Sequence, residues 1–267
     1  MVLFPCLTFA QADTLPPFAG SKRTPLILQI NLETKFIAVD KLQQLYAVTP
    51  SNEVIKYAPD GAELYRYSNN ILGDLSYLDA TDPFNLLLFY GDYQLILTLD
   101  RTMNETAELN LLDLDALQVR AVGMSNDGHI WLYDPVKFRL KKVDANGSIL
   151  AESQNLSLLL PQVPQPTQLV ARENWVYLSD PAQGILLFNN FGQFQKVMNV
   201  EGVERFQVAQ NRLIFKRDDA LLAYDQRAFQ TTSIPLPEDI TADDQILWQK
   251  KRLYIRKMDR IEVYRLK

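Results

Sequence analysis

The chain has 267 residues, of which 47% are hydrophobic and 22% are charged. This composition supports a substantial core and excludes a disordered or low-complexity protein. The formal net charge of -5 excludes a general nucleic-acid binder, because neutralising phosphates requires clustered Lys and Arg. The length fits one large domain or two small ones, and all-β domains of this size are often single.

The first twelve residues, MVLFPCLTFAQA, form an apolar run that ends in Ala10-Gln11-Ala12. This fits the apolar core and cleavage site of a secretory signal, although no Lys or Arg precedes the run. We predict a signal peptide at residues 1–12, a Pro-containing linker at residues 13–25 and a periplasmic or secreted protein; a disordered apolar N-terminus is the alternative. Cleavage would remove Cys6, the only cysteine. No other apolar run approaches the ~18 residues of a membrane span.

A pattern of four short strands separated by turns recurs six times after Lys35. Its clearest part is an apolar second strand: LYAV from Leu45, LLLF from Leu86, IWLY from Ile130, VYLS from Val176, LIFK from Leu213 and LYIR from Leu253. These starts are 41, 44, 46, 37 and 40 residues apart. A period near 40 with about four strands per unit is typical of β-propeller blades.

The ends of the chain predict how the ring closes. The sixth unit stops at Lys267, after its third strand, whereas the segment Leu26–Asn31 (LILQIN) is one unassigned strand at the other end. An exposed sheet edge invites aggregation, so we expect this strand to pair with the last blade, alongside Ile261–Tyr264. The sequence therefore predicts an all-β, six-bladed β-propeller at residues 26–267 whose last blade is completed by the N-terminal strand.

Two segments between the clear strands are ambiguous. Thr102–Leu117 fits either strands, which the repeat period favours, or an amphipathic helix. Leu156–Pro166 (LSLLLPQVPQP) is rich in Pro, and we expect a long loop over one face.

The turns connect the repeat to a known family. Ala58-Pro59-Asp60-Gly61 and Asp144-Ala145-Asn146-Gly147 are turns that end in Gly, the second of the Asp-x-x-Gly form, and Gly adopts a positive φ in such turns. With these turns, residues 26–267 resemble six-bladed β-propellers of the NHL and TolB-like type. The apolar start ending in Phe-Ala-Gln also resembles that of bacterial envelope proteins. The resemblance implies a propeller fold but no particular activity.

Four carboxylates follow second strands and form the first candidate site. Asp134 and Asp180 each precede a Pro at equivalent positions, and Asp92 and Asp218 lie near the same place in two other units. Such a ring of carboxylates could hold a cation or a basic partner. The alternative is structural, because Asp and Pro both initiate turns.

His129, the only histidine, is the second candidate; it is either an acid/base group or metal ligand, or a turn residue bonded to backbone. Near the first strands, which line a propeller's central channel, four carboxylates occur: Asp79, Asp82, Asp243 and Asp244. Equivalent positions in other units are Val, Gln and Ala, so no convergent acidic set is visible.

Together these features predict an exported, non-enzymatic scaffold of the cell envelope that binds another envelope protein or a ligand. We expect a monomer without a metal or cofactor. The alternative is a propeller hydrolase or lyase with a carboxylate or metal site at the central channel.

Overall fold

The computed structural model describes residues 25–69 and 71–266. These residues form six four-stranded antiparallel sheets, which confirms the six-bladed β-propeller. The predicted signal peptide at residues 1–12, and the linker at residues 13–25 except for its last residue, lie outside the described part of the chain.

Blades 1 to 3 are regular four-stranded meanders. Blade 1 comprises β2 (Phe36–Val39), β3 (Leu45–Val48), β4 (Val54–Tyr57) and β5 (Glu63–Tyr67). Blade 2 comprises β6 (Tyr77–Asp82), β7 (Asn85–Tyr90), β8 (Leu95–Leu99) and β9 (Glu105–Asn110). Blade 3 comprises β10 (Val122–Met124), β11 (Ile130–Asp134), β12 (Arg139–Val143) and β13 (Ile149–Glu152).

Blades 4 and 5 repeat this order, and blade 6 combines both ends of the chain. Blade 4 comprises β14 (Gln168–Arg172), β15 (Trp175–Asp180), β16 (Gly184–Asn189) and β17 (Phe194–Met198). Blade 5 comprises β18 (Phe206–Ala209), β19 (Arg212–Arg217), β20 (Ala220–Asp225) and β21 (Gln230–Ile234). Blade 6 comprises β22 (Gln245–Gln249), β23 (Arg252–Arg256), β24 (Ile261–Arg265) and β1 (Leu26–Ile30).

Ring closure follows the prediction. β1 pairs antiparallel with β24, with Leu28 opposite Val263 and Ile30 opposite Ile261. Apolar side chains of β1 then pack in the same cluster as Ile37 and Ile55 of blade 1. The N-terminal strand therefore joins the last blade to the first as well as covering an edge.

The core lies between the blades. One cluster, for example, combines Trp131 and Tyr133 of blade 3 with Leu169 and Val176 of blade 4. Second strands are buried on both faces, which explains their continuous apolar runs: all five residues of β11 are buried.

The start of β10 depends on a contact from the neighbouring blade. The largely apolar run Val119–Val122 is typical of a first strand, but it contributes only its last residue to β10, which begins at Val122. The side chain of Gln94 accepts from the Val119 N–H at 2.7 Å and donates to its carbonyl at 3.0 Å. Val119 therefore has no backbone groups free for the strand ladder.

The helical alternative for Thr102–Leu117 is wrong over most of its length. Glu105–Asn110 forms β9, and only Leu111–Leu114 forms a short 3-10 helix, capped by the Asn110 side chain. The Pro-rich segment after blade 3 is a loop with a short 3-10 helix at Leu156–Leu158. The predicted turn glycines Gly61 and Gly147 have positive φ, and so does Gly192 in the corresponding turn of blade 4.

The meander order gives the disc two different sides. The turns joining strands 2 and 3 of each blade lie on the same side as the connections between blades, and we name this the connection side. The turns joining strands 1 and 2, and strands 3 and 4, lie on the opposite side, the hairpin side. First strands contact those of neighbouring blades and therefore surround the axis.

We predict that removing β1 destabilises the whole ring. A chain that starts at residue 31 leaves β24 as an unpaired edge and loses the packing of Ile27, Leu28 and Ile30, so the free energy of unfolding should fall by at least about 3 kcal/mol. The matched control starts at residue 25 and keeps the strand. Urea unfolding measures both, and equal stability of the two chains would contradict the closure argument.

Candidate functional site

Asp134 is a fully buried turn carboxylate. Its Oδ1 accepts from the backbone N–H groups of Val136 and Lys137 at 3.0 and 2.9 Å. Its Oδ2 lies 2.6 Å from the Nζ of Lys141, and the two side chains are only 0% and 3% exposed. The ion pair and the turn bonds satisfy this carboxylate from within blade 3.

Asp180 occupies the equivalent position in blade 4 and is also buried. Its Oδ1 accepts from the Ala182 N–H at 2.9 Å, and its Oδ2 accepts from the Gln165 N–H at 2.9 Å and from the Gln183 amide at 2.8 Å. The bond to Gln165 ties the Pro-rich loop to blade 4.

Asp92 and Asp218 lie on exposed turns of blades 2 and 5. All four carboxylates are therefore on the connection side, but two are internally bonded and two face solvent. Within residues 25–69 and 71–266, no three His, Cys, Asp or Glu side chains form a group that could hold a metal ion.

His129 lies on the hairpin side, away from these carboxylates. Its Nδ1 is 3.1 Å from Oδ1 of Asp127, whose Oδ2 lies 2.5 Å from the Nζ of Lys142. Partial burial opposes ionisation of Asp127, but hydrogen bonds from Lys142 and Ser125 outweigh it and lower the pKa of Asp127 to about 2. Lys142 also lies 5.7 Å from the Trp131 ring centroid. The cluster ties the turn of blade 3 to its third strand.

Asp79 is a buried carboxylate in β6, the first strand of blade 2. Burial raises its pKa, and hydrogen bonds from Thr81 and from the backbone of Met124 oppose the rise. The bond from the Met124 N–H to Oδ2 is 2.8 Å long and joins blade 2 to blade 3. Gly123 beside it leaves room for Leu169 of blade 4, because a Cβ there would lie 2.9 Å from the Leu169 carbonyl oxygen. Asp79 thus acts as a link between blades.

Three glutamines link first strands in the same way. Gln168 accepts from the Phe206 N–H at 2.7 Å, Gln207 from the Trp248 N–H at 2.7 Å, and Gln245 from the Ile37 N–H at 2.8 Å. Each bond joins one blade to the next, and the last crosses the ring closure. These amides were missed from the sequence, although a Gln within an apolar first strand is a recognisable signal.

The connection-side mouth of the axis is lined by residues at the starts of first strands. Phe36, Tyr77 and Gln168 begin β2, β6 and β14, and all three are partly buried. Arg205 immediately precedes β18, is exposed, and has its guanidinium carbon 6.0 Å from the Phe36 ring centroid. Burial raises the pKa of Tyr77, and the nearby Gln168 amide and Arg205 charge act against that rise.

The two sides differ strongly in charge. The turns and connections of the connection side contain 15 Asp or Glu against six Lys or Arg, a net charge of -9. Those of the hairpin side contain six Asp or Glu against five Lys or Arg, a net charge of -1. Of the 15 acidic residues, 13 are exposed. Sorting the charges by turn position would have found this asymmetry from the predicted strands alone.

Comparison of the sequence with protein-family models and with curated proteins found no match. Among solved structures, the fold is similar to virginiamycin B lyase from Staphylococcus aureus, with 12% identity, a TM-score of 0.64 and coverage of 90% of this chain and 99% of that one. It is also similar to the Pan2 WD40 domain from Neurospora crassa, with 9% identity, a TM-score of 0.63 and coverage of 90% and 94%.

A third similar structure is BamB from Moraxella catarrhalis, with 11% identity, a TM-score of 0.54 and coverage of 86% of this chain and 82% of that one. These neighbours agree with the expected NHL- and TolB-like propeller architecture. At such identities they show the fold alone. Within residues 25–69 and 71–266, no helix has the length and apolar character needed to cross a membrane.

We predict that Lys141→Met strongly destabilises the protein. The substitution leaves the Asp134 carboxylate buried without its cation, which costs about 3 kcal/mol or more. Adding Asp134→Asn should recover part of the loss, because the remaining group is neutral. The control Lys137→Met removes only the exposed pair with Asp115 and should change little. Urea unfolding of Lys141→Met, Asp134→Asn, the double variant and Lys137→Met measures the coupling between the two charges. A double variant whose loss of stability equals the sum of the two single losses would contradict the coupling.

We also predict a pH dependence for Asp127. Its pKa is lower in the folded chain, about 2, than its ordinary value of 3.8, so the carboxylate stabilises the fold above pH 3.8 and loses that effect as the pH falls toward 2. Asp127→Asn should therefore melt at a lower temperature than the unmodified protein at pH 7, and the difference should shrink between pH 4 and pH 2. A constant difference over this range would be inconsistent with the shift.

Proposed function

We propose that the chain is an exported, non-enzymatic propeller that acts as a monomer in the cell envelope and binds a basic protein partner on its connection side. The net charge of -9 on that side, with 13 exposed carboxylates, carries the proposal. Such a field attracts cationic partners and accelerates their association. The apolar run at residues 1–12 supports export.

Exposed apolar side chains on the same side support a protein partner. Ile71 is 82% exposed, Leu158 is 83% exposed and Met258 is 76% exposed, and each lies in a connection or turn of this side. Protein interfaces combine apolar contacts with a polar surround, whereas a site for a simple cation needs converging oxygen ligands. The combination of exposed carboxylates and exposed apolar side chains favours a polypeptide partner that carries apolar residues together with Lys or Arg.

The hairpin side offers a different surface. It is close to neutral, and the four exposed Phe and Trp side chains of the described residues lie there, at or beside turns: Phe84, Trp175, Phe191 and Phe229. A partner held on this side would bind through aromatic contacts and would respond little to salt. Salt dependence therefore distinguishes the two surfaces.

We expect a fluorescein-labelled peptide of alternating Lys and Leu to bind the protein, and we expect this binding to weaken as salt is added. Asp218→Asn with Asp219→Asn, both exposed on the connection side, should raise the dissociation constant about threefold to tenfold. The control is Asp60→Asn with Glu173→Gln, which removes two exposed carboxylates from the hairpin side. Fluorescence anisotropy measures binding, and equal effects of the two double variants would exclude the connection side.

A further inference from the structure

Arg205 reaches across the mouth of the axis. It belongs to the connection between blades 4 and 5, yet its guanidinium lies over the Phe36 ring of blade 1. It is also close enough to the Tyr77 hydroxyl of blade 2 to act on its ionisation. Because blade 2 is opposite blade 5 in a ring of six, the Arg205 side chain points toward the centre of the connection side.

Arg205 differs from most cations of this side. Lys35 pairs with Asp74, Lys137 with Asp115, Lys257 with Asp239, and Arg260 with Glu262. Among the residues that the structure describes, no ion pair involves Arg205, although acidic residues outnumber basic ones on this side. Its charge therefore has no anionic partner at the mouth within residues 25–69 and 71–266.

The groups around Arg205 are suited to an anion with an apolar neighbour. A guanidinium presents a planar fork of N–H donors that fits a carboxylate in two parallel hydrogen bonds. Gln168 accepts from the N–H of Phe206, the residue after Arg205, at 2.7 Å, and the Arg205 charge acts on the Tyr77 hydroxyl. The ring of Phe36 supplies an apolar surface beneath the guanidinium.

We propose that Arg205 binds the C-terminal carboxylate of the basic partner at the connection-side mouth of the axis, an inference that rests on the function proposed above. The surrounding carboxylates repel small free anions, whereas a basic chain is attracted as a whole and carries its own carboxylate to Arg205. Capture of a chain terminus is a known mode of peptide recognition. The acidic surround and the central cation together select a basic peptide with a free C-terminus.

The test compares the labelled Lys/Leu peptide with a free C-terminal carboxylate and the same peptide as a C-terminal amide. The protein should bind the free acid about tenfold more tightly than the amide. Arg205→Gln should abolish this preference, and Arg205→Lys should restore only part of it because the forked geometry is lost. The matched control is Arg120→Gln, another exposed arginine of the connection side without an ion pair among the described residues, and it should retain the preference.

The outcomes separate this inference from the proposed function. If acid and amide bind equally well but both depend on salt and on Asp218 and Asp219, the proposed function stands and the role of Arg205 is wrong. If Arg120→Gln abolishes the preference for the free acid as fully as Arg205→Gln, the overall electrostatic field of the connection side explains the preference, and the site around Arg205 does not. Competition by micromolar N-acetylglycine would show that a free carboxylate alone is sufficient for binding. This result would contradict the proposed selection of a basic peptide. If neither peptide binds, both proposals fail.

Discussion

The antiparallel pairing of β1 with β24 is the constraint on which the other contacts depend. A propeller blade is covered on both faces by its neighbours, so a ring that does not close would expose the faces of its first and last blades. β1 prevents this in two ways. Its backbone completes the sheet of blade 6, and its side chains pack with Ile37 and Ile55 of blade 1. Closure therefore links the two ends of the chain through the hydrophobic core, in addition to the hydrogen bonds of the sheet.

At the axis, where each sheet ends, side chains replace the backbone ladder. The first strand of a blade has no further strand on its inner edge. The N–H groups that point to this edge, toward the axis, therefore need other partners. Gln168, Gln207 and Gln245 supply these partners across blade boundaries, and Asp79 does the same for Met124. The Asp79 carboxylate and the three amides are consequently bonded within the protein.

The strands were predictable because burial on both faces leaves continuous apolar runs such as those of β11 and β15, and Gly at positive φ marks the outer turns. The start of β10 was not predictable, because it depends on Gln94 from the neighbouring blade. The equivalence of Asp134 and Asp180 was visible, but their burial was not, since it depends on the side chains that cover each turn. Arg205 carried no local signal at all: its position opposite blade 2 exists only once six blades surround the axis.

The difference between the two sides of the disc does follow from the sequence once the strands are assigned. Each turn falls on one side or the other according to its place in the meander, so substitutions that accumulate charge in alternate turns build a polarised disc without altering any strand. The acidic residues of the connection side occur in nine separate turns and connections, and so no local cluster reveals them. The stable sheets hold these turns at fixed positions, so the electrostatic field of their carboxylates keeps a fixed direction. The Arg205 guanidinium adds one positive charge at the centre of this side.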